Sequence, residues 1–160
     1  MRWEEFRTAC PEIAMMAQER FARDQLVTLG TLRTDGSARI TPCEVDFAEG
    51  HLVLGMMWRS MKALDLLRDP RIVVHSVTCN KDGTDGDIKL YGRADEAQDE
   101  ELREACRDAT EARTDWRPPE RTHFFLVDIE RAGFLVFGDD GYGLVWTPAE
   151  GLRRLPMPKE

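Results

Sequence analysis

Histidine is scarce in this chain, cysteine is scattered and basic charge is in deficit. His51, His75 and His123 stand far apart, with no His-x-x-x-His spacing to hold a metal. Cys10, Cys43, Cys79 and Cys106 form no Cys-x-x-Cys pair. That pattern suits neither a zinc site nor a disulfide framework and points to reduced thiols. No Ser/His/Asp arrangement for nucleophilic catalysis is identifiable. No apolar run approaches the ~20 residues of a membrane span. The first residues, Met-Arg-Trp-Glu-Glu-Phe, place acids where a secretory signal would be apolar. These absences lead us to expect a cytoplasmic protein. Acidic residues outnumber basic ones 30 to 22, which argues against nucleic acid or an anionic membrane as partner.

Hydrophobic residues make up 42% of the 160 positions and charged residues 32%, enough for a real core. No repeat, low-complexity tract or linker divides the chain, so residues 1–160 read as a single domain. Residues 2–23 read as two helices, with Pro11 suited to the first turn of the second. Residues 25–33 and 38–47 read as strands around the Asp35-Gly36 hairpin signal, and 51–57 as a third strand. A helix follows at 60–69, then strands at 71–77 and 87–94, a helix at 97–113, strands at 123–130 and 132–138, and a short strand at 142–147. Residues 148–160 are expected to form an extended tail. Six or seven antiparallel strands with few helices predict a mainly β barrel or sandwich with flanking helices.

Several strands are apolar on both faces, as at Leu26–Leu32, Ile72–Val74 and Phe124–Val127. A half-exposed antiparallel strand alternates instead. One face packs inward, and the other needs helices or a partner chain. We therefore expect a homodimer.

Candidate chemistry gathers at Arg59-Ser60-Met61-Lys62. Ser60 suits an N-cap, with Ala63, Leu64, Leu66 and Leu67 as the apolar face behind it. A helix start carries partial positive charge and unpaired N–H donors. Arg59 and Lys62 have the wrong sign for that place unless an anion binds there, so the segment reads as a phosphate-binding corner. The bland alternative is a solvated helix start, with Arg39 as a surface strand residue and Met56, Met57 and Trp58 as packing residues. Cys43, which shares strand parity with Arg39, reads as a buried inert thiol. The acids of residues 97–113 read as a solvated face, and the acidic loop 80–87 lacks the order of a calcium loop.

The run Thr31-Leu32-Arg33-Thr34-Asp35-Gly36-Ser37-Ala38-Arg39-Ile40-Thr41-Pro42, followed by Ser60-Met61-Lys62-Ala63 and Leu67-Arg68-Asp69-Pro70-Arg71-Ile72-Val73, resembles the pyridoxamine 5′-phosphate oxidase-like family. Gly92-Arg93-Ala94 matches a later strand. The resemblance implies a six-stranded split β-barrel that dimerises, with two FMN sites at the dimer interface. It implies that Arg39 and Lys62 hold the cofactor phosphate, assisted by Ser60, and that Met56 and Met57 lie near the flavin; Thr41 shares strand parity with Arg39, so both can face one ligand. Met61 stands where the oxidases have arginine, and Arg59 is the adjacent replacement. Glu44 replaces a lysine and Asp87 a glutamine, and the Arg-Leu-His-Asp-Arg segment for the substrate is missing. Pyridoxamine phosphate oxidation itself is therefore not expected.

The expectation is an FMN-dependent oxidoreductase with a small-molecule substrate and no assigned catalytic acid or base. The deazaflavin coenzyme F-420 is the alternative cofactor, and Arg33 and Arg71 are candidates for its longer acidic tail. The same residues are compatible with a non-catalytic flavin- or haem-binding protein, or with a cofactor-free dimeric interaction module.

Overall fold

The computed structural model describes residues 1–78 and 80–156. Helices α1 (Trp3–Ala9) and α2 (Pro11–Asp24) meet at Cys10, with Pro11 in the first turn of α2. Trp3 and Phe6 are buried on one face of α1, against Phe47 and Trp146 at ring centroid distances of 4.8 and 5.0 Å. Gln25 ends α2 in the left-handed region.

Strands β1 (Leu26–Leu32) and β2 (Ala38–Ala48) form the hairpin expected from Asp35-Gly36. Gly36 supplies a φ of 82°, and the Asp35 carboxylate accepts from the Ser37 amide at 2.9 Å. After β3 (His51–Met56) come α3 (Met61–Arg68), β4 (Arg71–Ser76), β5 (Asp87–Glu96), α4 (Glu100–Thr114), β6 (His123–Val136), β7 (Tyr142–Thr147) and β8 (Gly151–Pro156). The sheet runs β3-β2-β1-β4-β5-β6-β7-β8, and a further β3–β6 pairing closes the first six strands into a barrel.

Two expectations about the C-terminal part are corrected. Residues 123–136 are one strand, not two. A bulge carries β6 across, because Tyr91 pairs with Arg131 and Gly92 with Ile129. Gly92 is required there, since a Cβ would lie 1.9 Å from the Asp128 carbonyl oxygen. The tail is not merely extended: 151–156 pairs along β7 as β8. Gly151, at φ 68°, makes the turn, and Pro148 and Pro156 bracket the strand rather than break it. Residues 157–160 of the expected tail lie outside the described residues.

A covering helix explains one of the doubly apolar strands. On β6, Phe125 and Val127 face the barrel core, whereas Phe124 packs with Val53, Ala97 and Cys106 beneath α4. Asp99 caps α4 by accepting from the Leu102 amide at 2.9 Å. Arg113 ties the other end to β2 through Asp46 at 2.5 Å and Glu44 at 2.9 Å. The acids of this helix face solvent, as expected, and pair with arginines, Glu100 and Glu104 with Arg107, and Asp108 and Glu111 with Arg117. The outward face at Leu26 of β1 and Ile40 of β2 stays open among the described residues, at 42% and 70% exposure.

Candidate functional site

Ser60 closes a four-residue turn between β3 and α3. Its amide donates to the Met57 carbonyl at 3.0 Å, and Arg59 takes a left-handed φ of 54°. Ser60 occupies the N-cap position of α3, as the sequence suggests. Its hydroxyl makes no cap bond, however, and Oγ is buried without a hydrogen-bond partner among the described residues.

Two bonds join this helix to β2. The Lys62 ammonium donates to the Pro42 carbonyl at 2.6 Å, and Arg39 Nε donates to Asp65 Oδ2 at 2.6 Å. Thr31, the cross-strand partner of Arg39, donates its hydroxyl to the same carboxylate oxygen at 3.0 Å. Arg68 lies 3.5 Å from the other oxygen. Burial alone would raise the Asp65 pKa. The hydrogen bonds from Arg39 and Thr31, with the charges of Arg39 and Arg68, outweigh it and hold the group below its ordinary value. The terminal nitrogens of Arg39 have no acceptor among the described residues.

Strand alternation puts Arg39, Thr41 and Cys43 on one face of β2 and Ile40, Pro42 and Glu44 on the other. Thr41 Oγ1 donates weakly to Pro42 O at 3.4 Å. The Cys43 thiol donates to the Gly55 carbonyl at 3.2 Å, and burial pushes its pKa up to about 11. It is therefore protonated at neutral pH, matching the inert reading.

Beside the corner lies a cavity of about 430 Å³. Lys62, Pro42, Met57 and Trp58 line one side, and Trp116, Pro118 and Pro119 from the segment after α4 line another. An apolar cavity with a few polar groups is the usual form of a small-molecule site. Glu44 also borders it, its charge offset by Arg113.

Arg39 and Lys62 thus join β2 to α3, Ser60 stands at the N-cap of the same helix, and Thr41 lies on the Arg39 face of β2. The other expected residues divide. Met57 is 79% exposed, whereas Met56 is buried in the core and only borders the cavity. Met61 and Arg59 are exposed, and Arg59 has no charge partner among the described residues. The apolar face of α3 also needs correction. Ala63 and Leu66 are buried, but Leu67 is half exposed and Asp65 takes the inward place. Asp65 was missed by sequence reading; its signal is a carboxylate on the core side of the helix, three residues after Lys62. Arg33 and Arg71 are both engaged, Arg33 by the Ala38 carbonyl and Arg71 by Asp69 at 2.5 Å.

No protein-family model and no curated protein matches this chain. Solved structures do. A pyridoxamine 5′-phosphate oxidase-related, FMN-binding protein from Nostoc punctiforme matches with a TM-score of 0.64 at 14% identity, covering 99% of this chain and 100% of that one. The fold is that of the pyridoxamine 5′-phosphate oxidase-like split barrels. ChuZ from Campylobacter jejuni matches with a TM-score of 0.73 at 10% identity over 94% of this chain. A haem-binding protein from Mycobacterium smegmatis matches with a TM-score of 0.59 at 18% identity over 88%. The matches span 66% of ChuZ and 57% of the Mycobacterium protein. Among the described residues no helix is long and apolar enough to cross a membrane.

Proposed function

We propose that this split barrel binds FMN and acts as a flavin-dependent oxidoreductase on a small molecule. The observation that carries the reading is the set of unused donors at one seam. The Ser60 hydroxyl is buried without a partner, and the terminal nitrogens of Arg39 have no acceptor among the described residues. A phosphate would satisfy both, with Lys62 adding charge and Thr41 standing on the Arg39 side of β2. These residues fit the group. The apolar cavity shares Lys62, Pro42 and Met57 with this seam and suits the flavin ring.

When bound, the flavin would supply the redox chemistry. The chain's own residues anchor the phosphate, and the apolar walls exclude water from the ring. FMN is preferred to coenzyme F-420, because Arg33 and Arg71 are already committed to other acceptors. The dimer belongs to the same proposal. A groove on the outward sheet face is lined by Gly30, Ile40, Val73 and Tyr91, and the exposure of Ile40 suits burial against a second copy.

FMN titration followed by flavin fluorescence, with the absorbance spectrum of the bound form, tests the reading. Charge-assisted contacts are worth ~1.5–3 kcal/mol each. Arg39→Ala with Lys62→Ala is therefore expected to weaken FMN roughly a hundredfold or more. Unchanged affinity in that double variant would sink the phosphate assignment. A haem Soret band with no flavin uptake would move the protein to the haem binders.

A further inference from the structure

We propose that Asp65 is a positioning residue for the phosphate of the bound cofactor, acting through Arg39; this rests on the FMN reading above. A carboxylate beside an anion site is at first sight unfavourable, because it repels the ligand. Its geometry here is specific. Asp65 is 2% exposed and sits on the inward face of α3. It takes Arg39 through Nε at 2.6 Å, not through the terminal nitrogens. Thr31 donates to the same oxygen at 3.0 Å, so the carboxylate is itself held from the neighbouring strand.

The consequence is that one edge of the guanidinium is fixed while the other nitrogens stay available. A free arginine side chain carries considerable rotamer entropy, which binding must otherwise remove. Holding Nε in advance removes part of that cost before the ligand arrives. Repulsion is limited, because Arg39 holds one carboxylate oxygen and Arg68 lies 3.5 Å from the other. Two cations, Arg39 and Arg68, thus flank one buried carboxylate.

The test compares FMN with riboflavin, which has the same ring and no phosphate. Asp65→Asn is expected to weaken FMN about tenfold or more and leave riboflavin affinity unchanged. In an Arg39→Ala background the same substitution is expected to have no further effect on FMN. Parallel loss of both ligands would make Asp65 merely structural and overturn the proposal. So would a full Asp65→Asn effect in the Arg39→Ala background. A wild-type protein that binds FMN and riboflavin equally would instead defeat the phosphate reading itself.

Should Asp65→Asn fail to fold, the Arg39 Nε–H signal in the wild-type nuclear magnetic resonance spectrum, assigned through Arg39→Lys, decides the question. Slow hydrogen exchange at that proton before FMN is added supports preorganisation. Fast exchange that slows only on FMN binding overturns it.

Discussion

The Trp58 indole lies flat on the His123 imidazole, with ring centroids 4.5 Å apart and planes inclined by 10°. His123 is buried and shares a hydrogen bond between Nδ1 and Glu96, while its Nε2 has no partner among the described residues. Trp58 is half exposed, lines the cavity and stands two residues before Ser60. The start of β6 and the end of β5 therefore brace the turn that carries the candidate anion site.

His123→Ala is expected to remove that brace. The variant loses a ring stack and the Glu96 hydrogen bond, and leaves a gap beneath Trp58. Interactions of these kinds suggest a loss of about 1–3 kcal/mol in urea unfolding. Trp58 should become more hydrated, shifting tryptophan emission to longer wavelength. His123→Phe retains a ring for the indole and should recover the emission while losing the Glu96 bond. Identical emission in wild type and both variants would refute the bracing role.

The fold was largely legible because its signals are local. Asp35-Gly36 announced the first hairpin and Pro11 the break between α1 and α2. The β8 strand was not, because Leu152-Arg153-Arg154-Leu155 carries no period-two pattern, and its backbone pairing with β7 and the Arg154 contact with Tyr142 exist only in the folded sheet. The site divides similarly. Ser60 and Lys62 stood out by charge and position, and Arg39 only through the resemblance. Asp65 was hidden because its partners, Thr31 and Arg39, are distant in sequence and meet only through the β1–β2 pairing. The His123–Glu96 contact required the barrel to bring β5 beside β6.

Arg59 gives a prediction about backbone strain. Its φ of 54° places a side-chain-bearing residue in the left-handed region, which costs roughly 1–2 kcal/mol for an L-residue. Glycine adopts that region freely but adds entropy to the unfolded chain, so the two effects partly cancel. Arg59→Gly should therefore match the wild type or exceed it slightly in urea unfolding. Arg59→Val should lose at least about 1 kcal/mol, because a branched Cβ is least tolerated there. Equal stability for the glycine and valine variants would show that the turn does not hold this conformation.

Asp65 sets a pH dependence whose sign follows from its environment. The hydrogen bonds from Arg39 and Thr31 keep its pKa below the ordinary carboxylate value despite burial. Its unfolded value is ~3.9. A carboxylate depressed on folding contributes stability that is fully present above the unfolded value and is lost as pH falls through the folded one. The contribution should therefore be constant from neutrality down to about pH 5 and decline below about pH 4. Asp65→Asn has no proton to take up at this position. The stability gap between wild type and Asp65→Asn, measured by urea unfolding at a series of pH values, should be widest near neutrality and narrow in acid. A gap that stays constant through the acid range would mean that the Asp65 carboxylate is not preferentially stabilised by its partners in the folded protein.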